Sequence, residues 1–172
     1  MQMVRRMDNV DKIIEQWNRE RPDLDVAAMA LMGRLKRLSQ HLARETDKIF
    51  AAHGLNAASF DVLATLRRSG APYRLSPNDL LATMMVTSGT MTNRIDQLVK
   101  AGLVARVGNP EDGRSVLIAL TDAGLERIEV AVTAHVANQG RLVAGLTGDE
   151  RAALDDGLRR FLAEFESVGG RS

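Results

Sequence analysis

The stretch between residues 76 and 120 constrains the fold most strongly, because helix and hairpin signals follow one another in it. Ser76 and Asp79 have the spacing of a capping box, which predicts the start of a short helix. A turn is expected at 86–88, and the apolar periodicity that follows predicts a second helix over 89–101. Two consecutive helices joined by a tight turn restrict this region to a small number of folds.

The segment after the second helix has the pattern of a β-hairpin. Residues 103–120 alternate between apolar and polar side chains around 109–114, where Pro110 and Gly113 indicate a turn. A helix, a turn, a polar-faced helix and a hairpin with a basic tip form a winged helix-turn-helix, a shape suited to reading duplex DNA. We therefore expect a regulator rather than an enzyme.

Composition narrows the classes of site that the chain can carry. Its 172 residues include no cysteine, which excludes disulfides, thiolate metal sites and thiol redox sensing. No apolar run reaches the roughly 18 residues that cross a bilayer, and no signal peptide is recognisable, so a cytoplasmic protein without membrane contact is predicted. The net charge is only +1, but residues 67–114 include seven basic and four acidic side chains. Such clustering favours phosphate binding more than the total charge does.

Apolar stripes on both sides of the winged region predict further helices. A short amphipathic helix is expected after Asp8, ending before Pro22, and a longer one over 25–53. At about 1.5 Å per residue the longer helix would measure roughly 43 Å, too long for so small a domain to cover. Two more helices are expected after the cap residues Thr121 and Thr147. A second copy of the chain is the simplest cover for these stripes.

The predicted fold is mainly α with a small β-hairpin wing, in one intertwined domain that dimerises through its N- and C-terminal helices. Residues 1–24 would form an N-terminal extension helix, and residues 25–54 and 121–168 a helical dimerisation region. Residues 55–120 would form the winged helix-turn-helix DNA-binding region. The expected partners are a second copy of the chain and a double-stranded DNA operator, and no cofactor is expected.

The second helix of the winged region has one apolar and one polar face. On a helical wheel its apolar side chains gather on one side, and the opposite side carries Thr90, Asn93, Gln97 and Lys100. In the major groove Asn and Gln can pair with adenine edges, Thr with either base, and Lys with guanine or phosphate. The first N–H groups of the helix, at 87–89, can bind a phosphate. An ordinary solvated helix face is the alternative, and the neighbouring helix and hairpin disfavour it.

The hairpin tip supplies a second set of contacts. Arg114 can enter an adjacent minor groove, and Asp112 can fix its guanidinium through a bidentate pair. The alternative is a surface salt bridge worth under about 1 kcal/mol. The DNA contacts predicted from both elements are Ser88, Thr90, Asn93, Arg94, Gln97, Lys100, Asp112, Arg114 and Ser115.

Residues 112–121 resemble the wing signature of the MarR family, an Asp-x-Arg followed by an alternating strand that ends in Leu-Thr. Residues 88–95 resemble the recognition helix of that family, and the similarity extends over roughly residues 25–165. Asn109 departs from the acidic residue that many members carry at the loop tip, with little expected effect. The resemblance implies a homodimer that binds a pseudo-palindromic operator, usually as a repressor relieved by a small ligand.

The N-terminal extension, with residues 17–26, resembles the urate-responsive, PecS-like branch of that family. This branch uses a Trp on the added helix, an Asp before the helix-turn-helix, an Arg on the recognition helix and an Arg at the start of the wing. The matching residues are Trp17, Asp61, Arg94 and Arg106. The resemblance implies that the effector is urate, a planar anion near neutral pH, or a similar aromatic anion. Periodicity alone favours a Trp that packs the first helix and a solvated Asp.

Other classes of function stay open on the sequence. Phenolic carboxylates need a similar basic and partly apolar pocket, and a winged helix can also serve as a protein-interaction module without DNA binding. His41 and Glu45 can share a helix face as half of a metal site, but two ligands are too few, and no metal site is predicted. The sequence has no phosphate-binding Gly-rich loop, nucleophile elbow or zincin motif, so no enzyme is predicted.

Overall fold

A computed structural model of the chain describes residues 7–84, 88–110 and 112–169. In these residues the protein is mainly helical, with a small antiparallel sheet of short strands. The chain divides into two compact units, residues 1–48 and residues 49–172. The predicted fold class, mainly α with a small β wing, is confirmed.

The first unit is built from α1 (Asn9–Glu20) and most of α2 (Ala27–Ala52), whose last residues belong to the second unit. The Asp8 carboxylate caps α1 by accepting hydrogen bonds from the N–H groups of Val10 and Asp11, at 2.7 and 2.9 Å. The Asp11 carboxylate accepts in turn from the Asp8 N–H, at 2.9 Å. The helix predicted after Asp8 is therefore confirmed, and a capping box made of two aspartates fixes its start.

The second unit follows the predicted order of elements. Its described part contains α3 (Ala57–Arg68), β1 (Arg74–Leu75), α4 (Pro77–Met84), α5 (Ser88–Lys100), β2 (Val104–Gly108), β3 (Val116–Leu120), α6 (Asp122–Leu142) and α7 (Gly148–Gly169). The predicted helices and both predicted strands are confirmed, with ends shifted by a residue or two. The predicted turn at 86–88 lies largely outside the described residues, since only its last residue is described.

Side-chain caps fix three of these helix starts, as the sequence predicts. At α4 the Asp79 N–H donates to Ser76 Oγ at 3.1 Å, and the Ser76 N–H donates to the Asp79 carboxylate at 3.3 Å. At α6, Thr121 Oγ1 accepts from the N–H three residues later at 3.0 Å. At α7, Thr147 and Glu150 form the same reciprocal pair of bonds, at 3.2 and 2.8 Å. Each cap satisfies N–H donors that a helix start otherwise leaves unpaired.

The sheet has the strand order β1–β3–β2, and both neighbouring pairs are antiparallel. In the hairpin, Arg106 of β2 lies opposite Ile118 of β3. β1 pairs Arg74 with Ala119 on the other side of β3. Sequence periodicity does not predict β1, because two residues are too few to show an alternating pattern.

The core of the second unit surrounds α3. This helix contributes Val62, Leu63 and Leu66, which are all 0% exposed. Residues from the other elements pack around them, including Leu80, Met91, Ile95, Leu98, Val104, Ile118 and Ile128. At the start of α6, a Cβ on Gly124 would lie 1.9 Å from the carbonyl oxygen of Leu103, so only glycine permits this close approach.

Several helices expose large apolar side chains to solvent. On α7 the exposed stripe consists of Leu154, Leu158, Phe161, Leu162 and Phe165, with exposed fractions from 38% to 64%. Across residues 148–167 the side chains of α7 are exposed, and only Gly157 is half-buried. On α2 the exposed apolar residues are Met29, Leu31, Met32, Leu38 and Leu42. A contiguous apolar surface such as the stripe on α7 marks an association site.

No single helix in the described residues is long and apolar enough to span a membrane. Within the described part of the chain, the bent pair formed by α2 and α3 meets that criterion by combined length and composition. In α3 this apolar character belongs to the protein core, because Val62, Leu63 and Leu66 are fully buried.

Candidate nucleic-acid interface

The helix α5 has the two faces that the sequence predicts. Its core-facing side chains are at most 3% exposed, namely Met91, Ile95 and Leu98. Its opposite face carries exposed polar side chains, namely Thr90, Asn93, Gln97 and Lys100. The Gln97 amide donates to Asn93 Oδ1 at 3.4 Å, so these two amides are neighbours on that face. A helix anchored by one face and presenting amides on the other is what major-groove reading requires.

Ser88 is the first residue of α5, and residues 85–87 before it lie outside the described residues. The phosphate site predicted at the N–H groups of residues 87–89 therefore falls partly outside the described residues. Ser88 and Gly89 occupy the first turn of the helix, where backbone N–H groups are free of intrahelical partners. The phosphate contact stays a prediction.

The tip of the hairpin is stabilised by hydrogen bonds among Asn109, Asp112 and Ser115. The Asn109 N–H donates to the Ser115 carbonyl at 3.1 Å, and the Ser115 N–H donates to the Asp112 carbonyl at 3.0 Å. The Ser115 hydroxyl accepts from Asn109 Nδ2 at 2.9 Å and donates to the Asp112 carbonyl at 3.1 Å. Asn109, where this chain departs from the family pattern, and the predicted DNA contact Ser115 therefore maintain the shape of the tip.

Asp112 contacts Arg114 differently from the prediction. Its carboxylate accepts a hydrogen bond from the Arg114 backbone N–H at 3.0 Å, the geometry of an Asx turn. The predicted bidentate pair is wrong, because no ion pair joins the two side chains in the part of the chain that the structure describes. The carboxylate bonds two residues ahead to the main chain, and Arg114 is exposed. An exposed arginine at a hairpin tip suits entry into a neighbouring groove.

The start of the wing is joined to α5 by an ion pair. Arg106 Nη2 lies 2.6 Å from Asp96 Oδ1, and the two side chains are 43% and 56% exposed. Arg106 lies in the middle of β2, and Asp96 lies in the second half of α5. Sequence reasoning does not find Asp96, since its partner lies ten positions further along the chain and no local pattern links the two. An exposed pair of this kind contributes about 0.2–1 kcal/mol, so it can exchange partners readily.

Asp61 of α3 and Arg94 of α5 interact electrostatically. Partial burial raises the pKa of the Asp61 carboxyl above its ordinary value, and the charge of Arg94, followed by those of Arg68 and His135, opposes that rise. The solvent-accessible surface of Asp61 is nevertheless large, so the carboxylate is crowded by neighbouring atoms rather than enclosed. Two of the four predicted effector residues, Asp61 and Arg94, therefore lie within range of a charge interaction.

Arg94 and Asp96 lie on opposite flanks of α5. Two residues along a helix place their side chains about 160° apart around its axis. Arg94 interacts with Asp61 of α3, whereas Arg106 meets α5 at Asp96. The predicted effector arginine Arg106 is therefore paired with a carboxylate on the flank of α5 opposite to the one that carries Arg94.

Trp17, the fourth predicted effector residue, belongs to the first unit. It lies on α1 and is 41% exposed. Its carbonyl accepts the Arg21 N–H at 2.8 Å, which ends the helix just before Pro22, as predicted. Because it is the one tryptophan of the chain, the tryptophan fluorescence reports on the surroundings of this α1 side chain.

His135 is a neighbour of Asp61 that the sequence does not single out. Its ring lies 5.1 Å from each of the rings of Phe50 and Phe60, which are themselves stacked at 4.2 Å. Its Nε2 lies 2.9 Å from the side-chain nitrogen of Gln139. The half-buried imidazole therefore packs against two core phenylalanines, a position set by the tertiary fold.

His41 and Glu45 contact basic side chains of their own helix. His41 Nδ1 lies 2.9 Å from an Arg44 nitrogen, and Glu45 pairs with Lys48 at 2.5 Å. Among the described residues, no group of three or more His, Asp or Glu side chains is arranged to bind a metal ion.

An open cleft of about 520 Å³ lies in the second unit between residues 52–54 and the start of α6. It is lined by residues that include His53, Glu126 and Arg127. Arg127 Nη1 donates to the His53 carbonyl at 2.9 Å, so this side chain links the two segments. None of the four predicted effector residues lines the cleft.

Comparison with known proteins identifies sequence relatives of this chain. Residues 53–115 match the sequence profile of the MarR family. The chain is similar to the HTH-type transcriptional regulator PecS of Dickeya dadantii, with 42% identity over 145 residues, 84% of this chain and 87% of that protein. It is similar to the multiple antibiotic resistance protein MarR of Escherichia coli K12, with 31% identity over 76% of this chain and 90% of that protein.

Solved structures of similar chains have the same fold. A mutant of MarR from E. coli complexed with operator DNA matches with a TM-score of 0.66 and 29% identity, over 85% of this chain and 97% of that one. AbsC, a MarR family transcriptional regulator from Streptomyces coelicolor, matches with a TM-score of 0.71 and 23% identity, over 84% of this chain and 97% of that one. The similarity to AbsC is evidence for the fold alone.

Proposed function

The chain belongs to the MarR family of DNA-binding transcriptional regulators, and on that basis we propose that it is a homodimeric repressor released from its operator by urate or a similar planar anion. PecS is named as a transcriptional regulator, and a MarR mutant has been solved in complex with operator DNA. The proposed operator is pseudo-palindromic, because a two-fold dimer presents two identical reading surfaces to the duplex.

The proposed DNA interface rests on one observation, the exposed polar face of α5 beside an exposed arginine at the wing tip. Asn93 and Gln97 present neighbouring amides, and the opposite face of the helix is fixed in the core. The wing is stiffened by its own hydrogen bonds, so Arg114 extends from a defined position. This arrangement supports major-groove reading by α5 and minor-groove entry by Arg114.

The exposed apolar stripes support the proposed dimer. The stripe on α7 that includes Leu158 and Phe165 is exposed, although a surface of this size is costly to leave in water. Pairing the same surface of two copies would bury it in a two-fold interface. Two winged regions would then face successive major grooves, about 34–36 Å apart along the duplex.

The charges around α5 support an anionic effector. Arg94 and Arg106 offer planar, permanently charged donors that match the planar acceptors of urate. Trp17, partly exposed on α1, offers an apolar ring face and an indole N–H. Asp61 would be repelled by the anion that binds Arg94. Since Arg94 lies on α5 and Arg106 on β2, an effector there would change both DNA-reading elements, with reciprocal coupling between effector and DNA.

The test is fluorescence anisotropy of a labelled duplex taken from upstream of the gene that encodes the chain. We expect the purified protein to bind this duplex and added urate to release it. Trp17→Ala and Arg106→Ala should blunt the release while the melting temperature stays close to the parent value. No loss of anisotropy at millimolar urate would eliminate urate as the effector, and release by a phenolic carboxylate such as salicylate instead would assign the alternative class.

The same assay separates a DNA-binding regulator from a protein-interaction module. The logarithm of the DNA-binding constant should fall linearly with the logarithm of salt concentration, because bound phosphates release counterions. A module that binds only proteins would have no duplex affinity even at low salt.

A further inference from the structure

We infer that Asp96 is a positioning residue of the proposed effector site, because it competes with the effector for Arg106. An effector held by both Arg94 and Arg106 would have to break the Asp96–Arg106 ion pair. This inference rests on the function proposed above, and it adds a residue that neither the sequence nor the family resemblance points to.

The geometry of α5 sets up this competition. Arg106 Nη2 and Asp96 Oδ1 are 2.6 Å apart, whereas Arg94 lies on the other flank of the helix and interacts with Asp61. Opposite flanks of a helix are separated by its width, about 10–12 Å with side chains. An anion held by both arginines would therefore draw the Arg106 side chain away from Asp96.

The exchange of partners is energetically balanced. Arg106 would replace one planar anionic acceptor, the carboxylate, with another, the effector. Asp96 is already 56% exposed, so its carboxylate is hydrated when Arg106 leaves, and losing this partner costs little free energy. Exposed ion pairs of this kind change an equilibrium by about 1.4-fold to 5-fold, which is small enough for a ligand to overcome.

Breaking the pair would weaken DNA binding through charge. Asp96 and Lys100 are spaced i, i+4, so they are neighbours on the surface of α5. In the paired state Arg106 neutralises the Asp96 carboxylate. Without that pairing an anionic group would lie beside the DNA-facing lysine and repel the phosphates. The wing would also lose this contact with α5.

The test measures urate affinity of the full-length protein without DNA, using Trp17 fluorescence or calorimetry. Asp96→Asn should tighten urate binding by about 1.4-fold to 5-fold, because Arg106 becomes available. Asp96→Glu retains the carboxylate and should stay close to the parent. Glu126→Gln removes an exposed carboxylate elsewhere in the second unit and controls for the change in net charge.

A double-mutant cycle separates competition from a general charge effect. In the Arg106→Ala background, Asp96→Asn should no longer change urate affinity, because the shared partner is gone. A tightening that persists in that background would overturn the inference in favour of long-range electrostatics. If the parent binds urate and Asp96→Asn leaves that affinity unchanged or weakens it, the inference is also overturned. The proposed effector would then stand. A parent that does not bind urate would overturn the proposed effector and this inference together.

Discussion

At the wing tip, neighbouring residues have different tasks. Asp112 and Ser115 hold the turn through hydrogen bonds to the main chain, while the Arg114 side chain is exposed. The shape of the wing and its contact with DNA are therefore separable by substitution. A change at Arg114 should affect binding without affecting stability.

Arg114→Ala should lower operator affinity and leave the melting temperature unchanged. Loss of one cationic contact should also reduce the slope of the salt dependence by about one. Anisotropy titrations at several salt concentrations and a thermal melt would measure both quantities. Arg19→Ala, which removes an exposed arginine of the first unit, is the matched control. An unchanged dissociation constant for Arg114→Ala would refute the minor-groove role.

Asn93→Ala and Gln97→Ala should relax base preference rather than abolish binding. Each bidentate contact with a base contributes about 1–3 kcal/mol of discrimination. Competition between the operator and single-base variants would show at which position each side chain reads. If both variants rank all duplexes as the parent does, the exposed face of α5 is not the reading surface.

Asp61→Asn should stabilise the protein, and more so at neutral than at acidic pH. The pKa of Asp61 is raised in the folded state, so the ionised carboxylate disfavours folding. The free energy of unfolding therefore falls as pH rises from the ordinary pKa of 3.8 through the raised pKa of the folded state. Above the folded-state pKa this loss of stability is constant. Thermal melts should therefore show a larger gain for the variant near pH 7 than at about pH 3. A gain that is absent or reversed near neutral pH would contradict this account.

Among the elements, α1 is held against α2 within the first unit by a close approach and an arginine. Val10 is 4% exposed, and a Cβ added to Gly33 would lie 3.2 Å from its Cγ1 atom. Arg34 Nε donates to the Asp8 carboxylate at 2.8 Å, and Arg34 Nη2 donates to the Asp11 carboxylate at 2.6 Å. One side chain thus binds both residues of the capping box that starts α1.

Arg34→Ala should loosen α1 and shift its acid response. The hydrogen bond from Arg34 is the main cause that lowers the pKa of Asp8 to about 2. The stabilisation is therefore present above the ordinary pKa of 3.8 and is lost as pH falls through about 2. In the variant the loss should begin nearer the ordinary value, and Trp17 emission during an acid titration would report it. Arg37→Ala, one turn along α2, is the control, and identical titrations of the Arg34 variant and the parent would refute the role of Arg34.

Local signals explain why most elements were predictable and some contacts were not. Capping pairs such as Ser76 with Asp79, and the alternation of β2 and β3, are encoded within a few residues, so the sequence locates them. The pair of Asp96 with Arg106 joins a helix to a strand, and β1 forms only because β3 offers it a free edge. Such contacts follow from tertiary packing. The Asp112 carboxylate was assigned the wrong donor because an Asx turn to the main chain competes with a side-chain pair.

For the whole molecule, the exposed stripe on α7 has the largest expected consequence. The stripe is apolar and in contact with water, while the other sides of the helix carry charged pairs such as Arg160 with Asp156, 2.7 Å apart. An amphipathic helix with this distribution is stabilised when its apolar side is covered. The assignment of 25–54 and 121–168 to dimerisation remains a prediction that this surface supports.

Leu158→Glu should convert the proposed dimer to a monomer and weaken operator binding. A charge placed in an apolar interface is costly, and loss of the second winged region removes the avidity of two linked half-sites, about 10²-fold or more. Light scattering after size-exclusion chromatography would give the mass, and anisotropy the affinity. Arg160→Ala on the charged side should remain dimeric. A Leu158→Glu variant that stays dimeric would place the interface elsewhere.

The most direct measurement of the proposed regulation is a pair of operator titrations, with and without saturating urate, by anisotropy at fixed salt. The account predicts that urate raises the operator dissociation constant by about 5-fold to 150-fold, and that operator DNA raises the urate dissociation constant by the same factor. Operator titrations that superimpose with and without urate would contradict it, whether or not the protein binds urate.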